Sequence, residues 1–331
     1  MITRDNYSFK FERKNENLKI ACILDGFSYE AFKFECDLLQ ITPMNWKEEL
    51  DGFNPDMLFI ESAWGDNDGK WGGRLITAYR EIGDITRYCA RKAIPVVFWS
   101  KEDPFGYDAF LDVARLADVV FTTASECVDK YKKDLGHENV YFMHFAVQPK
   151  LFDNVQQMAR ADKFCFAGAY YKQFPERSAS FDKIYNALSD YKGVVIYDRF
   201  YNDKHRCFPK RYRKDVMGTL DYKDIYKAYC GYKYNINMNS ITDSETMFAR
   251  RVFELLYLKT VVVSNYSKGL KNYFGDLVIC TDDTEEMIDR LKEINKSDET
   301  YNSFCEKGYK RIIESELYSH RVKQICKVLY E

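Results

Sequence analysis

The sequence predicts an α/β protein that contains two doubly wound parallel sheets. Three observations predict this class: short, almost continuously apolar runs, longer amphipathic stretches between them, and a restart of the alternation after a polar segment at 148–163. Continuous apolar runs are typical of strands buried on both faces of a parallel sheet, and crossover helices join such strands. A length of 331 residues suits two domains of ordinary size.

The elements alternate in two series along the chain. Strands of the first series are predicted at 18–24, 56–62, 94–100, 118–123 and 139–147, with helices at 28–40, 76–92, 107–117 and 125–134. Strands of the second series are predicted at 164–171, 193–200, 232–239, 260–265 and 276–281, with helices at 178–191, 222–230, 244–258 and 284–294. Two more helices, at 300–314 and 319–330, close the chain.

This alternation predicts an N-terminal Rossmann-like domain over 1–155 and a C-terminal one over 156–310. The remaining segment, 311–331, is a helix that can pack back on the N-terminal domain. Ligands of doubly wound sheets bind beyond the carboxyl ends of the strands. We therefore expect the two domains to face each other across a cleft that holds the ligands.

Composition excludes several classes of protein. A net charge of −2 gives no bulk attraction for nucleic acid, so we expect no nucleic-acid partner. No apolar run is long enough for a signal peptide or a membrane span, and the ten cysteines contain no CxxC pair. Reduced thiols and a cytoplasmic location are expected. Contact with the inner face of a membrane through a surface patch stays open.

The stretch "NSITDSETMFARRVFELLYLKTVVVSN", residues 239–265, combines a polar loop, a charged helix and a strand. Asp243 or Ser244 is expected to cap a helix whose amides at 245–248 point into the cleft, where they favour a phosphate. Arg250, Arg251 and Glu254 share one side of this helix. An exposed ion pair worth about 0.3–0.5 kcal/mol accounts for the charges equally well on periodicity alone.

The region from Tyr212 to Phe274, and above all "RRVFELLYLKTVVVSNYSKGL", resembles the donor-binding half of GT-B glycosyltransferases of the CgeB-type (spore-maturation-like) group. Related retaining families carry a Glu-x7-Glu motif in the corresponding helix. The resemblance implies that Glu254 binds the nucleotide ribose and that Glu245 contacts the donor sugar. The spacing here is Glu-x8-Glu, and Lys259 replaces the usual glycine.

The resemblance extends to other residues of the second domain. The expected catalytic residues of this domain are Arg177, Arg251 and Glu245. The fourth expected catalytic residue is His144, in the last strand of the first domain, for which a structural role is the alternative. Tyr197 is expected either to stack on the base or to lie in the core. The expected donor-binding residues are Gly168, Tyr170, Tyr197, Gly218, Asn239, Ser240, Thr246, Arg250 and Glu254.

Polar groups that follow three strands of the first domain predict an acceptor site, because loops at these ends build sites on a rigid frame. The candidates are Asp25, Ser28, Glu61, Ser62, Trp64, Lys101, Glu102 and Asp103. The glycine-rich loop at 65–73 has neither a P-loop nor a GxGxxG pattern. Its "DND" at 66–68 does not follow a strand of the donor domain, and we expect no metal site.

The resemblance implies transfer of a sugar from a nucleoside diphosphate donor, by default a UDP-sugar, to a hydroxyl acceptor. The acceptor is a glycan, a lipid-linked precursor or a small molecule, as in cell-surface polysaccharide synthesis. A metal-independent, retaining reaction without a cofactor other than the co-substrate is expected. The alternatives are a nucleotide-sugar epimerase that uses Glu61 or Asp103, and a two-lobed sugar-binding or nucleotide-sugar-binding protein without turnover.

Overall fold

The computed structural model describes residues 11–65, 69–72, 75, 79–153 and 158–331, and these residues form two compact units. Unit 1 runs to Gln148 and includes Tyr318–Glu331, whereas unit 2 is Pro149–Leu317. The boundary predicted after residue 155 lies outside the described residues. A second boundary was predicted after residue 310, but Asp298–Ser315 is one continuous helix. The chain therefore returns to unit 1 only after that helix has ended.

Unit 1 is built on a parallel six-stranded sheet with the order β2-β1-β3-β4-β5-β6. Its strands are β1 (Lys19–Ile23), β2 (Asp37–Gln40), β3 (Met57–Glu61), β4 (Val96–Ser100), β5 (Val119–Thr122) and β6 (Val140–Phe142). Its helices are α1 (Gly26–Phe32), α2 (Trp46–Phe53), α3 (Tyr79–Arg91), α4 (Tyr107–Ala114), α5 (Cys127–Leu135) and, from the end of the chain, α12 (Tyr318–Tyr330). Every residue of β3, β4 and β5 is buried, as the continuous apolar runs predict.

Unit 2 is built on a second parallel six-stranded sheet, with the order β12-β11-β10-β7-β8-β9. Its strands are β7 (Ala161–Gly168), β8 (Val194–Asp198), β9 (Val216–Gly218), β10 (Tyr232–Asn237), β11 (Val261–Ser264) and β12 (Ile279–Cys280). Its helices are α6 (Pro175–Tyr191), α7 (Tyr226–Cys230), α8 (Arg251–Tyr257), α9 (Lys268–Phe274), α10 (Thr284–Ile294) and α11 (Asp298–Ser315). Short 3₁₀ turns lie at Pro149–Leu151, Lys210–Tyr212, Tyr222–Asp224 and Gly275–Leu277.

The strand orders place one topological switch point in each sheet. In unit 1 the chain leaves β1 toward β2 on one side and then crosses to β3 on the other. In unit 2 it leaves β7 toward β8 and β9 and then crosses to β10. A crevice opens beyond the carboxyl ends of the strands at such a point, and ligands of doubly wound sheets bind there. The fold therefore predicts ligand sites at the carboxyl ends of β1 and β3 and at those of β7 and β10.

The helix predicted over 28–40 is wrong in its second half. The helix α1 ends at Phe32, and Asp37–Gln40 forms the edge strand β2, parallel to β1. Pairing with β1 overrides the local helical pattern. The sequence analysis also missed the strand β9 and the helices α2 and α9.

The helix predicted over 244–258 begins at Arg251, seven residues later than expected. Side chains hold the preceding loop instead, since Ser244 Oγ accepts the amide of Met247 at 2.9 Å and Asn239 Oδ1 accepts that of Ala249 at 2.9 Å. Such side-chain-to-backbone bonds compete with helix formation. The expectation that Asp243 or Ser244 caps a helix whose first amides are those of 245–248 is therefore wrong.

Lys259 adopts a left-handed backbone conformation, with φ of +53°. Glycine reaches this region at much lower cost than residues that carry a Cβ. This geometry explains why glycine is usual at this place in the group that the sequence resembles. The side chain of Lys259 forms an exposed ion pair with Glu306, at 2.6 Å between Nζ and Oε2.

None of the helices in the described ranges is both long enough and apolar enough to cross a bilayer.

Candidate active site

Two arginines of unit 2 converge on the carboxyl end of β7, at the switch point with β10. Arg251 opens α8 and donates from Nη1 to the carbonyl of Ala167. Arg177 lies in the first turn of α6 and donates from Nη1 to the carbonyl of Ala169 at 3.1 Å. The carbonyls of Ala167 and Ala169 flank Gly168, so the two guanidinium groups are fixed on either side of one glycine.

Gly168 leaves space for these side chains. A Cβ at this position would lie 2.8 Å from Cζ of Phe166 and 3.2 Å from Nη1 of Arg251. Both distances are shorter than ordinary contacts, and therefore any larger residue would displace the phenyl ring or the guanidinium. The glycine predicted to allow close approach of a ligand thus serves first to admit the Arg251 side chain.

No carboxylate in the described part of the chain compensates the charge of this arginine pair. Within the described residues neither Arg177 nor Arg251 has a carboxylate within 4.0 Å, and Arg177 Nε is buried without a hydrogen-bond acceptor. Burial and the neighbouring positive charge of Arg251 lower the pKa of Arg177 to about 10. Arg177 also packs on the ring of Tyr171, with 4.7 Å between Cζ and the ring centroid. Two cations held together without a counter-ion form a site for an anion.

A second group of polar residues adjoins the arginine pair on α8. Arg250 Nη1 donates to Glu254 Oε1 at 2.7 Å and to the hydroxyl of Tyr222 at 3.1 Å, and this hydroxyl also donates to Glu254 Oε1 at 3.3 Å. Glu254 is 2% exposed, which excludes the solvent-exposed ion pair considered from the sequence. Its other oxygen, Oε2, is buried without a hydrogen-bond partner. Burial raises the pKa of Tyr222 to about 12, so its hydroxyl keeps its proton at neutral pH.

Tyr229 connects these two groups. It is fully buried, and burial together with the nearby carboxylate of Glu254 raises its pKa, while Arg251 and Arg250 act in the opposite direction. Arg251 and the Arg250–Glu254 pair therefore lie within electrostatic reach of one phenol. Sequence reasoning did not single out Tyr222, Tyr171 or Tyr229. The only signal for Tyr222 was its position four residues after Gly218.

Other predicted donor-binding residues have structural partners. Tyr170 lies in the core and donates to Asp182 at 3.0 Å, and Tyr197 pairs with the hydroxyl of Tyr232 at 3.3 Å. Asn239 is buried and joins the ends of β10 and β11, where its Nδ2 donates to Ser264 at 3.1 Å. Gly218 ends β9 with φ of +117°, a conformation that glycine permits.

Three predicted residues of the loop before α8 lie away from the arginine pair's contacts. Ser240 is exposed, and the backbone around Thr246 and Met247 packs so closely on α9 that a Cβ on Gly269 would lie 2.8 Å from the Thr246 carbonyl carbon. Glu245 pairs with Lys268 and accepts from Asn272 Nδ2 at 3.2 Å. Its side chain is 46% exposed. These contacts give the carboxylate of Glu245 a cation of its own.

In unit 1, five of the eight predicted acceptor-binding residues form one cluster at the switch point between β1 and β3. Lys101 Nζ lies 2.8 Å from Asp25 Oδ2, 2.9 Å from Glu61 Oε2 and 3.0 Å from Ser28 Oγ. The backbone amide of Lys101 donates to Ser62 Oγ at 2.7 Å, and that of Asp25 donates to Glu61. Only Asp25 is appreciably exposed, at 27% of its side chain.

Burial sets the protonation of this unit 1 cluster. Burial and the neighbouring charge of Asp25 raise the pKa of Glu61 to about 8, although Lys101 acts in the opposite direction. Burial lowers the pKa of Lys101, but Asp25 and Glu61 outweigh it and the net shift is upward. Near neutral pH the cluster therefore contains the ammonium of Lys101, the carboxylate of Asp25 and a protonated Glu61. Its charges balance.

The other three predicted acceptor residues lie apart from these contacts. Trp64 is 53% exposed and packs on Phe110, and Glu102 is half-buried. Asp103 is completely buried and accepts from Thr122 at 2.6 Å and Tyr131 at 3.3 Å. Burial raises its pKa. Asp103 thus ties the end of β4 to β5 and α5.

His144 lies beyond the end of β6 rather than in a strand, which corrects its predicted position. Its ring is buried, and Nδ1 accepts the amide of Phe145 at 2.7 Å. Its carbonyl accepts from Arg321 of α12 at 2.9 Å, so this residue helps to attach the last helix. The "DND" at 66–68 lies outside the described residues. In the part of the chain that the structure describes, no three His, Cys, Asp or Glu side chains are grouped closely enough to hold a metal ion.

Two doubly wound parallel sheets, each with a polar site at its switch point, define the GT-B class of glycosyltransferases. Over residues 156–327, more than half of its length, the chain matches the model of the glycosyl transferase-like family. The chain belongs to this family, as the resemblance implied.

Individual proteins resemble the chain in a short segment of sequence or in the fold. A segment of 61 residues is 41% identical to the spore protein CgeB of Bacillus subtilis (strain 168), covering 18% of this chain and 19% of that protein. The fold is similar to Anabaena Alr3699/HepE in complex with UDP, with a TM-score of 0.56, 10% identity, and coverage of 94% of this chain and all of that one. It is also similar to sucrose-phosphate synthase from Thermosynechococcus elongatus, with a TM-score of 0.55, 10% identity, and coverage of 86% and 76%.

Proposed function

We propose that unit 2 binds the diphosphate of a nucleotide-sugar donor between Arg177 and Arg251, and that the protein transfers the sugar to a hydroxyl acceptor. The observation that carries the proposal is the uncompensated arginine pair on either side of Gly168. Cleavage of a sugar–diphosphate bond leaves negative charge on the departing phosphate. Guanidinium groups already in position stabilise that charge without reorganisation.

We further propose that Glu254 binds the ribose. Its Oε2 is buried and lacks a donor, whereas Oε1 is held by Arg250 and Tyr222. A buried carboxylate oxygen without a donor is costly, and a ribose hydroxyl supplies the missing hydrogen bond. UDP is the first nucleotide to test, because the similar fold of Anabaena HepE was solved with UDP. Titration with nucleotides that differ in the base, described below, identifies the base that the site prefers.

The arginine pair supplies the charge neutralisation that a metal ion provides in other transferases, and we propose a metal-independent reaction. Turnover with and without a chelator measures this directly. We propose retention at the anomeric carbon, which the resemblance to families with a Glu-x7-Glu motif supports, and the NMR coupling constant of the product's anomeric proton tests it. The acceptor hydroxyl is proposed to bind at Asp25, the exposed member of the Lys101 cluster.

Calorimetric titration with UDP, GDP, CDP and dTDP tests the donor site. Denaturation in the presence of nucleotide is a second test. A nucleotide at about 100 times its dissociation constant is expected to add about 2.7 kcal/mol to the free energy of unfolding. Glu254→Gln is expected to weaken UDP binding about tenfold and to have little effect on the binding of 2′,3′-dideoxy-UDP, which lacks the ribose hydroxyls. Equal losses for both ligands would remove Glu254 from the ribose site.

Turnover separates the alternative functions. A transferase releases UDP much faster when its acceptor is present, an epimerase converts the sugar while UDP stays attached, and a binding protein does neither. Measuring free UDP and the recovered sugar nucleotide in one reaction distinguishes these outcomes.

A further inference from the structure

The segment 199–214, "RFYNDKHRCFPKRYRK", carries an unusual charge. It contains seven lysine and arginine residues and one aspartate, a net charge of +6, although the whole chain has a net charge of −2. We call this segment the basic segment. The rest of the chain therefore has a net charge of −8, and positive charge is concentrated in one short stretch of unit 2.

The basic segment has a fixed conformation. The carboxylate of Asp198, at the end of β8, accepts the amides of Phe200 and Phe208, both at 2.8 Å. Phe208 and Tyr212 are buried in the core of unit 2 and pack on Phe181 of α6. With the aromatic residues anchored inside, the cationic residues between them project outward.

Five of the seven cations have no carboxylate partner among the described residues. Arg206 pairs with Asp203, and Arg211 pairs with Asp182. The other five are exposed, and none of them has a carboxylate within 4.0 Å in the described part of the chain; they are Arg199, Lys204, Lys210, Arg213 and Lys214. Cations without partners, fixed on a surface, attract a polyanionic surface.

Two large apolar side chains accompany the unpaired cations. Tyr201 lies within the basic segment and is 52% exposed, and Met217 of the edge strand β9 is 66% exposed. Charged residues also protect edge strands against unwanted pairing. Such protection needs charged residues on the edge strand itself, whereas the three residues of β9 are uncharged. An aromatic residue and a methionine beside lysine and arginine side chains instead match the interface of a lipid bilayer.

We propose that the basic segment, together with Tyr201 and Met217, binds the surface of a bilayer that contains anionic phospholipids. Juxtamembrane cations are attracted to anionic lipid headgroups, by about fivefold in the partition coefficient for each lysine or arginine near the surface. Apolar side chains gain from contact with the headgroup–acyl boundary, whereas a soluble polyanion offers them no such environment. The segment follows β8 directly, and the amide of Arg199 donates to the carbonyl of Gly168 at 2.9 Å. A membrane bound here would lie next to the proposed donor site within the same unit.

Co-sedimentation with lipid vesicles tests this proposal without any requirement for turnover, and therefore independently of the proposed function. The full chain is expected to bind vesicles of phosphatidylcholine mixed with about one-third phosphatidylglycerol, and to bind pure phosphatidylcholine more than about 100-fold more weakly. Replacement of the five unpaired cations by glutamine is expected to lower the partition coefficient by more than 100-fold. Binding is also expected to weaken as salt is raised.

The matched control replaces five exposed lysines elsewhere by glutamine and therefore makes the same change in net charge: Lys47, Lys133, Lys271, Lys323 and Lys327. This control is expected to keep most of the vesicle binding. An equal loss in the control, or equal binding to neutral and anionic vesicles, would overturn the proposal.

A second variant, Tyr201→Ser with Met217→Ser, keeps every cation and is expected to lose about tenfold in vesicle binding but nothing in binding to soluble heparin. If vesicle binding is unchanged in this variant and heparin binds as tightly as the vesicles, the partner is a soluble polyanion and the proposal is wrong.

Discussion

The polar sites of the two units occupy equivalent places in the fold but treat charge in opposite ways. In unit 1, Lys101 is enclosed by the carboxyl groups of Asp25 and Glu61, and the charges balance within the protein. In unit 2, Arg177 and Arg251 lie side by side without a carboxylate partner among the described residues. A balanced cluster is complete before any ligand arrives, whereas an unbalanced pair is completed by an anion. The comparison assigns a rigid frame to the first site, with Asp25 as its exposed member, and anion binding to the second.

The largest effect is expected from breaking the balanced cluster. Lys101→Met leaves Asp25 and Glu61 without their cation, and loss of one partner of a buried pair typically costs about 3–5 kcal/mol in the free energy of unfolding. Chemical denaturation measures this loss. The ion pair of Lys92 with Asp51 provides a matched control. Both of its side chains are exposed to solvent, so Lys92→Met is expected to cost far less.

A partial rescue would identify the cause. Adding Asp25→Asn and Glu61→Gln to Lys101→Met removes the uncompensated carboxylate of Asp25 and the second acidic group, and is expected to restore part of the lost stability. If the triple variant is no more stable than Lys101→Met, packing of the lysine side chain and not its charge supports unit 1.

The unbalanced pair is expected to respond in the opposite way. Arg177→Met and Arg251→Met each remove one of two mutually repelling cations, so stability without ligand is expected to change little. Turnover is expected to fall about 100-fold or more, because removal of one preorganised group that stabilises developing charge typically costs 10²–10³ in kcat. The separate measurements are denaturation without nucleotide and kcat with a UDP-sugar.

Arg290→Met is the control for loss of a partly exposed arginine of unit 2. Arg290 lies on α10, and its Nη2 is 3.5 Å from Asp276 Oδ1. It is expected to change neither quantity appreciably. If Arg177→Met and Arg251→Met unfold the protein while leaving the nucleotide affinity of the folded fraction intact, the pair is structural and unit 2 has no diphosphate site there.

Stability is also expected to depend on pH through Glu61. Its pKa is raised by burial and by Asp25 to about 8 in the folded protein, above the value of 4.5 for an ordinary glutamate. Between these values the folded state holds a proton that the unfolded state has released. The free energy of unfolding therefore falls as pH rises through this interval, by at most about 1.4 kcal/mol per pH unit.

Glu61→Gln removes this titration without removing the side chain's volume. Its free energy of unfolding is expected to vary less with pH than that of the wild type between about pH 5 and 8. The comparison is made as the difference between the free energies of unfolding of the two proteins at each pH, in which the contributions of the other titrating groups cancel. Parallel curves for the two proteins would mean that Glu61 is ionised throughout, and the cluster would then carry a net negative charge.

The sequence predicted which residues lie at strand ends but not which strand ends are neighbours. Asp25, Glu61 and Lys101 each follow an apolar run, so their meeting at one edge of a sheet was foreseeable. The meeting of Arg177 with Arg251 depends on β7 pairing with β10, a strand order that spacing does not reveal. Periodicity alone did not distinguish a site residue from an exposed ion pair at Glu254. The resemblance implied a ribose contact there.

The position of Glu245 shows why the remaining part was not predictable. Its placement at a helix start relied on the local pattern of residues 243–248. The loop is instead held by Asn239, and α9 packs on it through Gly269, both contacts that involve distant parts of the chain. Lys259 is a similar case, because its left-handed backbone is fixed by the turn between α8 and β11. Tertiary contacts overrode local preference at both positions.

The smallest effect is expected at Glu245, and it tests whether unit 2 needs a carboxylate near the donor sugar. Glu245 pairs with Lys268 on an exposed surface, and such pairs contribute about 0.2–1 kcal/mol to stability. Glu245→Gln is therefore expected to change stability slightly and kcat less than about twofold, with Lys268→Gln as the matched control for loss of the same ion pair. A fall in kcat of about 100-fold in Glu245→Gln but not in Lys268→Gln would show that the carboxylate leaves its lysine to contact the sugar, as the family motif implies. The arginine pair would then share the donor site with an acidic residue, and the contrast in charge between the two units would be smaller than the resting structure indicates.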